Sequence, residues 1–342
     1  MTILAKLLKR QELGYSGDLP DQRGAYFLIS NDWRRYFPTL TSTQLNDTAP
    51  IQITFEETGP VVVPYVWHNS KVVNNQANGR DETRIYISAL KAKGLKPSPE
   101  DIVTFKVANE GEHKLNIVVG RLIQRASSEH HEVLQDRGPG SNYWIMHRTM
   151  SSNLREVDSD SPTVTSEHLI AQDMNSPTAL NETLPVVDPS LGRFLSQSPD
   201  EVMASRINQA MFRAIVLSAY DEKCAIDRSS IIWERLSNIE AAHIRPSSHG
   251  GPNLPSNGIA LSRDLHWAFD KGMFTIDSSC RVEVHPRLLD RGLKRVHGIQ
   301  LPIPTEPFYA PREDYINYHR NVVFGLFLTQ GTLYRASADP SP

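Results

Sequence analysis

Between residues 151 and 200 the hydrophobic pattern of the chain stops. The stretch is dense in Ser, Thr, Pro, Asp and Asn, and no helix or strand period persists through it, although residues 166–174 can form a short helix. A chain of 342 residues divided in this way does not close around one core. Two domains of roughly 100–200 residues each are expected, spanning 1–150 and 201–342 with 151–200 as the linker.

Charge follows the same division. The net value is −3. Residues 121–200 hold 6 Lys/Arg against 11 Asp/Glu, whereas each flank carries a balance of +1 (14 against 13 before, 16 against 15 after). The acidity therefore sits in the middle, and both ends can carry local basic patches for nucleic acid. No apolar run approaches the ~18 residues that span a bilayer, so no membrane segment is expected. The first ten residues are apolar but short, lack a signal-peptide core, and read as a turn or two of amphipathic helix. Cys224 and Cys280 are the only cysteines. They make neither a disulfide framework nor a four-thiolate zinc site, and a cytoplasmic location is the expectation.

The amino-terminal part reads as β-rich. Short β-branched or aromatic runs occur at 25–29, 51–55, 61–67, 84–87, 102–107, 115–119 and 143–147, separated by turn residues, with one short helix at 88–94. Many short strands with few helices suggest a barrel-like fold. The carboxyl-terminal part begins with a helix from about 199 to 220. A strand at 238–244, a polar loop, a strand at 258–261 and a helix follow, with Ser262 as N-cap and Gly272 just past the end. A final helix is expected over 314–328. The fold class is α+β in two domains, a β-rich pseudobarrel followed by a helical domain with a ββα core.

That ββα stretch places His243, Asn257, His266 and Asp270 in order. Taken singly, each has an ordinary structural reading. An i, i+4 His/Asp pair is usually a solvated surface pair, a His after two alanines is usually a hydrogen-bonded core residue, and Asn before Gly is a turn signal. Together they fit phosphodiester hydrolysis. A neutral imidazole can take a proton from water near pH 7. A His and a carboxylate one helical turn apart share a face and can hold a divalent ion.

The segment resembles the HNH family of ββα-metal nucleases, in the branch found in restriction endonucleases. The matching letters are Glu-Ala-Ala-His-Ile-Arg-Pro at 240–246, Asn-Gly-Ile-Ala-Leu at 257–261 and His-Trp-Ala-Phe-Asp-Lys-Gly at 266–272. The likeness extends over residues 201–328, from Arg206, Gln209, Phe212 and Arg213 to the closing helix. It implies that His243 is the general base, that His266 and Asp270 hold the metal, and that Asn257 fixes the loop. Ala242 stands where many members carry a further ligand, which favours Mg²⁺ or Mn²⁺ with retained waters. The missing cysteine pairs imply no structural zinc. Arg245 is a candidate phosphate contact.

In the amino-terminal half, Arg80, Glu82 and Arg84 alternate, so on a strand they share a face and suit guanine and cytosine edges. An exposed, salt-bridged strand face is the plain alternative. The run at 78–84 resembles the recognition arm of the EcoRII amino-terminal effector-binding domain, a pseudobarrel, with Asp81 in place of that family's Asn. The likeness covers residues 15–150. It implies a second arm at 23–35, including Trp33, Arg34 and Arg35. The expected function is restriction-type cleavage of double-stranded DNA by a homodimer, one site per strand. One alternative is cleavage of modified DNA only, with Trp33, Tyr26 or Trp67 lining a pocket for a flipped base. The other is a DNA-binding regulator with a degenerate nuclease domain.

Overall fold

The computed structural model describes residues 2–16, 19–20, 25–75, 77–107, 117–146, 185–233, 236–288 and 292–328. The helix expected at 166–174, and the linker as far as residue 184, lie outside the described residues.

The amino-terminal half is one curled sheet. Its strands are β1 (Thr2–Leu7), β4 (Tyr26–Ile29), β5 (Thr48–Phe55), β6 (Gly59–His68), β7 (Glu82–Tyr86), β8 (Ile102–Val107), β9 (Ile117–Ile123) and β10 (Tyr143–Met146), with β2 (Tyr15–Ser16) and β3 (Leu19–Pro20) as a small separate pair. The order is β10-β1-β8-β9-β5-β6-β7-β4, antiparallel except between β5 and β9. Alternate residues of each strand fill the inside, where Phe27, Phe37, Phe55, Tyr65 and Phe105 are buried in contact with one another. The sheet curls far enough for Trp33, just after β4, to meet Tyr143 on β10 edge to face at 5.1 Å. This closes the half-barrel that many short strands predict. The helices α1 (Ser70–Val73), α2 (Ser88–Ala92) and α3 (Ser128–Leu134) fill connections.

The amino terminus differs from the helical reading. Residues 2–7 form a strand hydrogen-bonded on both sides, to β8 and to β10. Two ladders outweigh a helical pattern of under three turns, which is marginal by itself. Lys6 is fully buried there, and its ammonium donates to Glu12 Oε1 at 2.7 Å and to the Tyr143 hydroxyl at 3.0 Å.

Residues 185–200, the end of the stretch read as linker, are folded. Strand β11 (Val186–Val187) pairs in parallel with β6, and α4 (Leu191–Leu195) sets Phe194 against Tyr86 at 4.8 Å. Next comes α5 (Asp200–Arg206). Arg206 reaches back to the buried Asp47 with both terminal nitrogens, at 2.7 and 2.8 Å. Burial alone would raise the Asp47 carboxyl, but the Arg206 hydrogen bonds and the Thr41 N–H outweigh it and hold the group below the usual carboxylate range.

The helix expected over 199–220 is broken. Ile207 is extended (φ −104°, ψ 108°), and Asn208 caps a new helix, α6 (Gln209–Ala219), by accepting from the Met211 N–H at 2.9 Å. A short hairpin, β12 (Ile232–Trp233) and β13 (Leu236–Ser237), precedes the pair β14 (Ile239–His243) and β15 (Gly258–Ser262). Helix α7 (Arg263–Asp270) follows, then the hairpin β16 (Phe274–Ile276) and β17 (Val282–Val284), and finally α8 (Glu313–Tyr318). Ser262 takes the N-cap conformation, although its side chain makes no cap hydrogen bond. Gly272 has φ +68°, and a Cβ there would lie 1.9 Å from the Val323 carbonyl oxygen, so only glycine fits. The closing helix is shorter than expected: α8 passes into a π-helical turn at His319–Val323 and ends at Phe324. No helix among the described residues is long and apolar enough to cross a membrane.

His319 ties this last turn to the core. Its ring lies flat on Phe269 at 3.8 Å, with Nδ1 2.9 Å from the Thr275 hydroxyl and Nε2 3.2 Å from the Phe269 carbonyl. Burial pushes its pKa from 6.5 down to about 3. The folded state therefore keeps His319 neutral while the unfolded chain takes up a proton below pH 6.5. Stability should fall as pH drops from 6.5 towards 3, at about 1.4 kcal/mol per unit and so about 2 kcal/mol at pH 5. Urea unfolding at pH 7 and pH 5 checks this. The difference between the two should shrink by that amount in His319→Leu.

Candidate active site

The β14–β15 pair and α7 bring the four expected residues together. Register pairs His243 with Gly258, so the base candidate ends one strand opposite the start of the next. His243 is buried to 6% exposure, and its ring stacks on Phe212 of α6 at 4.1 Å. Its Nε2 is 3.0 Å from Asn253 Oδ1. The Asn253 amide nitrogen donates to the Ile207 carbonyl at 3.2 Å, which turns Oδ1 towards the ring. An amide oxygen only accepts, so Nε2 carries the proton and Nδ1 keeps the lone pair. Burial pushes the His243 pKa below its ordinary value, the Asn253 hydrogen bond opposes this, and the charge of His266 lowers it further. The imidazole is thus neutral at pH 7.

Asn257 is fully buried and braces the loop. Its side-chain oxygen accepts from the Arg245 N–H at 2.8 Å, and its nitrogen donates to the carbonyls of Arg245 (3.1 Å) and Pro252 (3.0 Å). Arg245 is folded back on its own loop. Nε donates to the His249 carbonyl at 2.9 Å, and the guanidinium lies 4.5 Å over Tyr318.

His266 and Asp270 share one face of α7, with Nε2 and Oδ2 3.4 Å apart. The other ring nitrogen, Nδ1, is 2.8 Å from Glu240 Oε2. Glu240 also accepts from Arg263 Nε at 2.9 Å. Burial would raise the Glu240 carboxyl, but the hydrogen bond and charge of His266, with Arg263, hold it below the usual range. Burial also lowers His266, and here the Glu240 hydrogen bond and the Asp270 and Glu240 charges prevail and raise it. Burial raises Asp270. A carboxylate on the far nitrogen of a His is the usual support for a metal ligand, because it fixes the tautomer and leaves the near nitrogen as a donor. His266 Nε2 and the Asp270 carboxylate thus suit a divalent ion. Among the described residues no group of three or more His, Cys, Asp or Glu converges on a metal position. The protein offers two donors, and waters or phosphate oxygens would complete the shell. Glu240, Asn253 and Phe212 had no assigned role on the sequence. Glu240 stood within the motif, but nothing in spacing links Asn253 or Phe212 to His243.

The amino-terminal candidates are dispersed. Arg80 is exposed in the loop before β7, not on the strand. Its N–H donates to the Ser70 hydroxyl at 2.9 Å, and its carbonyl accepts from Lys71 N–H at 3.0 Å. A Cβ on Gly79 would sit 2.5 Å from the Lys71 nitrogen, so this loop closes on α1 only with glycine. Arg84 is buried, ion-paired to Glu82 and stacked 3.9 Å over Tyr26. Glu82 and Arg84 stand two apart on one face of β7 and pair with each other rather than projecting as separate groups. Trp33 is 4% exposed and belongs to the core. Asp81 accepts from Trp67 Nε1 at 2.8 Å and from Arg34 at 3.3 Å, and the Trp67 bond first, then Arg34, holds its carboxyl below the usual range. The negative charge that replaces Asn is thereby used internally. The Arg34 guanidinium lies 4.3 Å over Trp67, and that of Arg35 lies 5.1 Å over Tyr36. Arg34, Arg35, Thr39, Leu40, Tyr65 and Trp67 line a cleft of about 200 Å³.

A pair of strands closed onto a helix brings two imidazoles, an amide and a carboxylate together in a ββα arrangement. Residues 224–277 match the profile of the HNH endonuclease family, and this part of the chain is an HNH endonuclease domain. No curated protein matches the chain. Among solved structures it is similar to the modification-dependent TagI restriction endonuclease, with 25% identity and a TM-score of 0.29 over 36% of this chain and 41% of that one. The chain thus spans about two-fifths of the length of that relative. It is also similar to the N-terminal domain of Helicobacter pylori LlaJI.R1, with 10% identity and a TM-score of 0.28 over 43% of this chain and 99% of that one.

Proposed function

We propose that the chain is a restriction-type endonuclease that hydrolyses phosphodiester bonds of duplex DNA. Residues 1–150 read the DNA and residues 201–342 cut it. The observation that carries this reading is the pairing of a neutral, tautomer-fixed His243 with the His266–Asp270 donor pair, backed by Glu240. His243 accepts a proton from water at Nδ1, and the hydroxide so formed attacks phosphorus, breaking the P–O3′ bond to leave a 5′ phosphate and a 3′ oxyanion that takes its proton from solvent water. Asn253 holds the resulting imidazolium by its Nε2–H. Asn257 keeps the loop, and with it Arg245, in place beside the strand end. His266 and Asp270 would hold one divalent ion, Mg²⁺ or Mn²⁺, which when bound would stabilise charge on the phosphate and the leaving 3′ oxygen. Two copies acting together cut both strands.

Sequence reading is assigned to the exposed loop around Arg80, with Arg34 and Arg35 beside it. A second reading, cleavage that requires a modified base, is favoured by the cleft under Trp67, whose aromatic walls and two arginines suit an extruded base and its phosphate. One experiment addresses both. Matched genomic DNAs with and without cytosine methylation are digested with Mg²⁺ or Mn²⁺, and the ends are sequenced. Discrete fragments from both DNAs are expected. Cutting of methylated DNA alone selects the second reading, and no cutting of either removes the nuclease assignment.

A further inference from the structure

The segment Arg206–Ile207–Asn208, the last residue of α5 followed by two extended residues, lies between the two halves of the molecule, and each of its residues is used differently. The Arg206 side chain enters the amino-terminal half. Besides the two bonds to Asp47 it donates to the Thr48 carbonyl at 2.6 Å and to the Thr39 carbonyl at 2.9 Å. Asp47 is completely buried and accepts in addition from Thr41 N–H, Thr48 N–H and the Ser198 hydroxyl. The Ile207 carbonyl faces the other way and accepts the Asn253 amide whose oxygen meets His243. Asn208 starts α6, which carries the Phe212 ring under His243. One peptide unit thus separates the anchor in the DNA-reading half from the carbonyl that orients the partner of the base.

We propose that Arg206 is a positioning residue. Seated on Asp47, it holds the Ile207 carbonyl where it orients Asn253, and through Asn253 it fixes the tautomer of His243. This rests on the nuclease reading for its consequence, but not for its test. A planar guanidinium gripping a carboxylate and two carbonyls sets both the position and the direction of the backbone that follows, which a point charge or an apolar contact does not. Without it, the segment is still held by the packing of Met203 and Ile207 and by the Asn208 cap, but these leave the direction of the Ile207 carbonyl less firmly set. The Asn253 amide is then able to rotate and offer its NH₂ to the ring, which places the imidazole proton on Nδ1 and removes the lone pair that accepts from water.

The test uses the full chain without DNA. Two-bond ¹⁵N–¹H correlation spectra report the tautomer of each histidine. His243 should be in the Nε2–H form in the wild type and a mixture in Arg206→Ala. The same mixture should appear in Asn253→Ala, which leaves Arg206 on Asp47. An unpaired buried Asp47 can unfold Arg206→Ala, so Asp47→Asn combined with Arg206→Met, which leaves no buried charge, is measured in parallel and should also give the mixture. In cleavage assays, kcat should fall ~10-fold in Arg206→Ala and in Asn253→Ala with KM for DNA little changed, and Arg206→Ala combined with Asn253→Ala should be no worse than either single one, because both act on one proton position. A pure Nε2–H form of His243 in the folded Arg206 variants overturns the proposal. So does a wild type that is already mixed. Absence of DNA cleavage by a wild type with the expected tautomer spectra refutes the nuclease reading and leaves the coupling standing.

Discussion

His243→Ala is expected to lower DNA cleavage by roughly 10²–10⁴-fold, or about 3–5 kcal/mol of transition-state stabilisation, while DNA binding changes little. The expectation follows from the position of the ring. It ends β14, it is locked by Phe212 stacking and by Asn253, and its remaining lone pair is on Nδ1. No other described histidine is both held in this way and set beside the His266–Asp270 pair. The low pKa adds a second mark. Because the folded protein depresses the His243 pKa below 6.5, the active neutral form persists below that pH, and the acid limb of kcat belongs on the acidic side of 6.5. Single-turnover cleavage across pH, alongside a filter-binding measurement of DNA affinity, checks both. Turnover by His243→Ala within a few-fold of the wild type would remove it from the reaction.

Much of this site was legible in the sequence because its chemistry is local. His266 and Asp270 meet because a helix brings i and i+4 together, and the strand–loop–strand order puts His243 opposite Gly258. What was not legible depends on contacts between distant parts. Asn253 is ten residues from His243 and reads as a loop residue, and its role appears only when Ile207 supplies a carbonyl. The break at Ile207–Asn208 was hidden by apolar residues that continue at near-helical spacing on both sides. The capping signal of Asn208 was present but was outweighed by that period. In the amino-terminal half most strands were readable from their β-branched and aromatic runs, whereas the fate of Arg84 was not. Alternation puts Glu82 and Arg84 on one face but does not say what covers that face, and Arg80 falls in the loop before the strand. On that face Arg84 meets the Tyr26 ring of the neighbouring strand β4 and the Glu82 carboxylate, and it is buried between them. The first strand was misread for a related reason. A six-residue apolar segment takes its conformation from what it pairs with, and β8 and β10 are remote in sequence.

His266→Ala should abolish metal-dependent cleavage, and Glu240→Gln should weaken it in a way that excess metal repairs. The two outcomes separate a ligand from its support. Loss of the imidazole removes Nε2 and leaves one carboxylate, Asp270, which at exposed or half-exposed positions holds Mg²⁺ or Mn²⁺ poorly without a second protein donor. Glu240 touches the ring only at Nδ1, 2.8 Å away. A glutamine there still accepts a hydrogen bond but carries no charge, so the imidazole becomes a weaker and less firmly oriented donor. Changes of this kind typically cost 10–100-fold in metal affinity. In a Mn²⁺ titration of cleavage rate, the midpoint for Glu240→Gln should therefore move up by about that factor while the plateau approaches that of the wild type. His266→Ala should stay flat across the same range. Arg263, the other partner of Glu240, is half-exposed, and its substitution by alanine should move the midpoint far less, since screened surface pairs are worth little. Full wild-type activity in excess EDTA would remove the metal from the reaction. An unmoved midpoint in Glu240→Gln would reduce Glu240 to a structural partner of Arg263 and leave His266 oriented by packing alone.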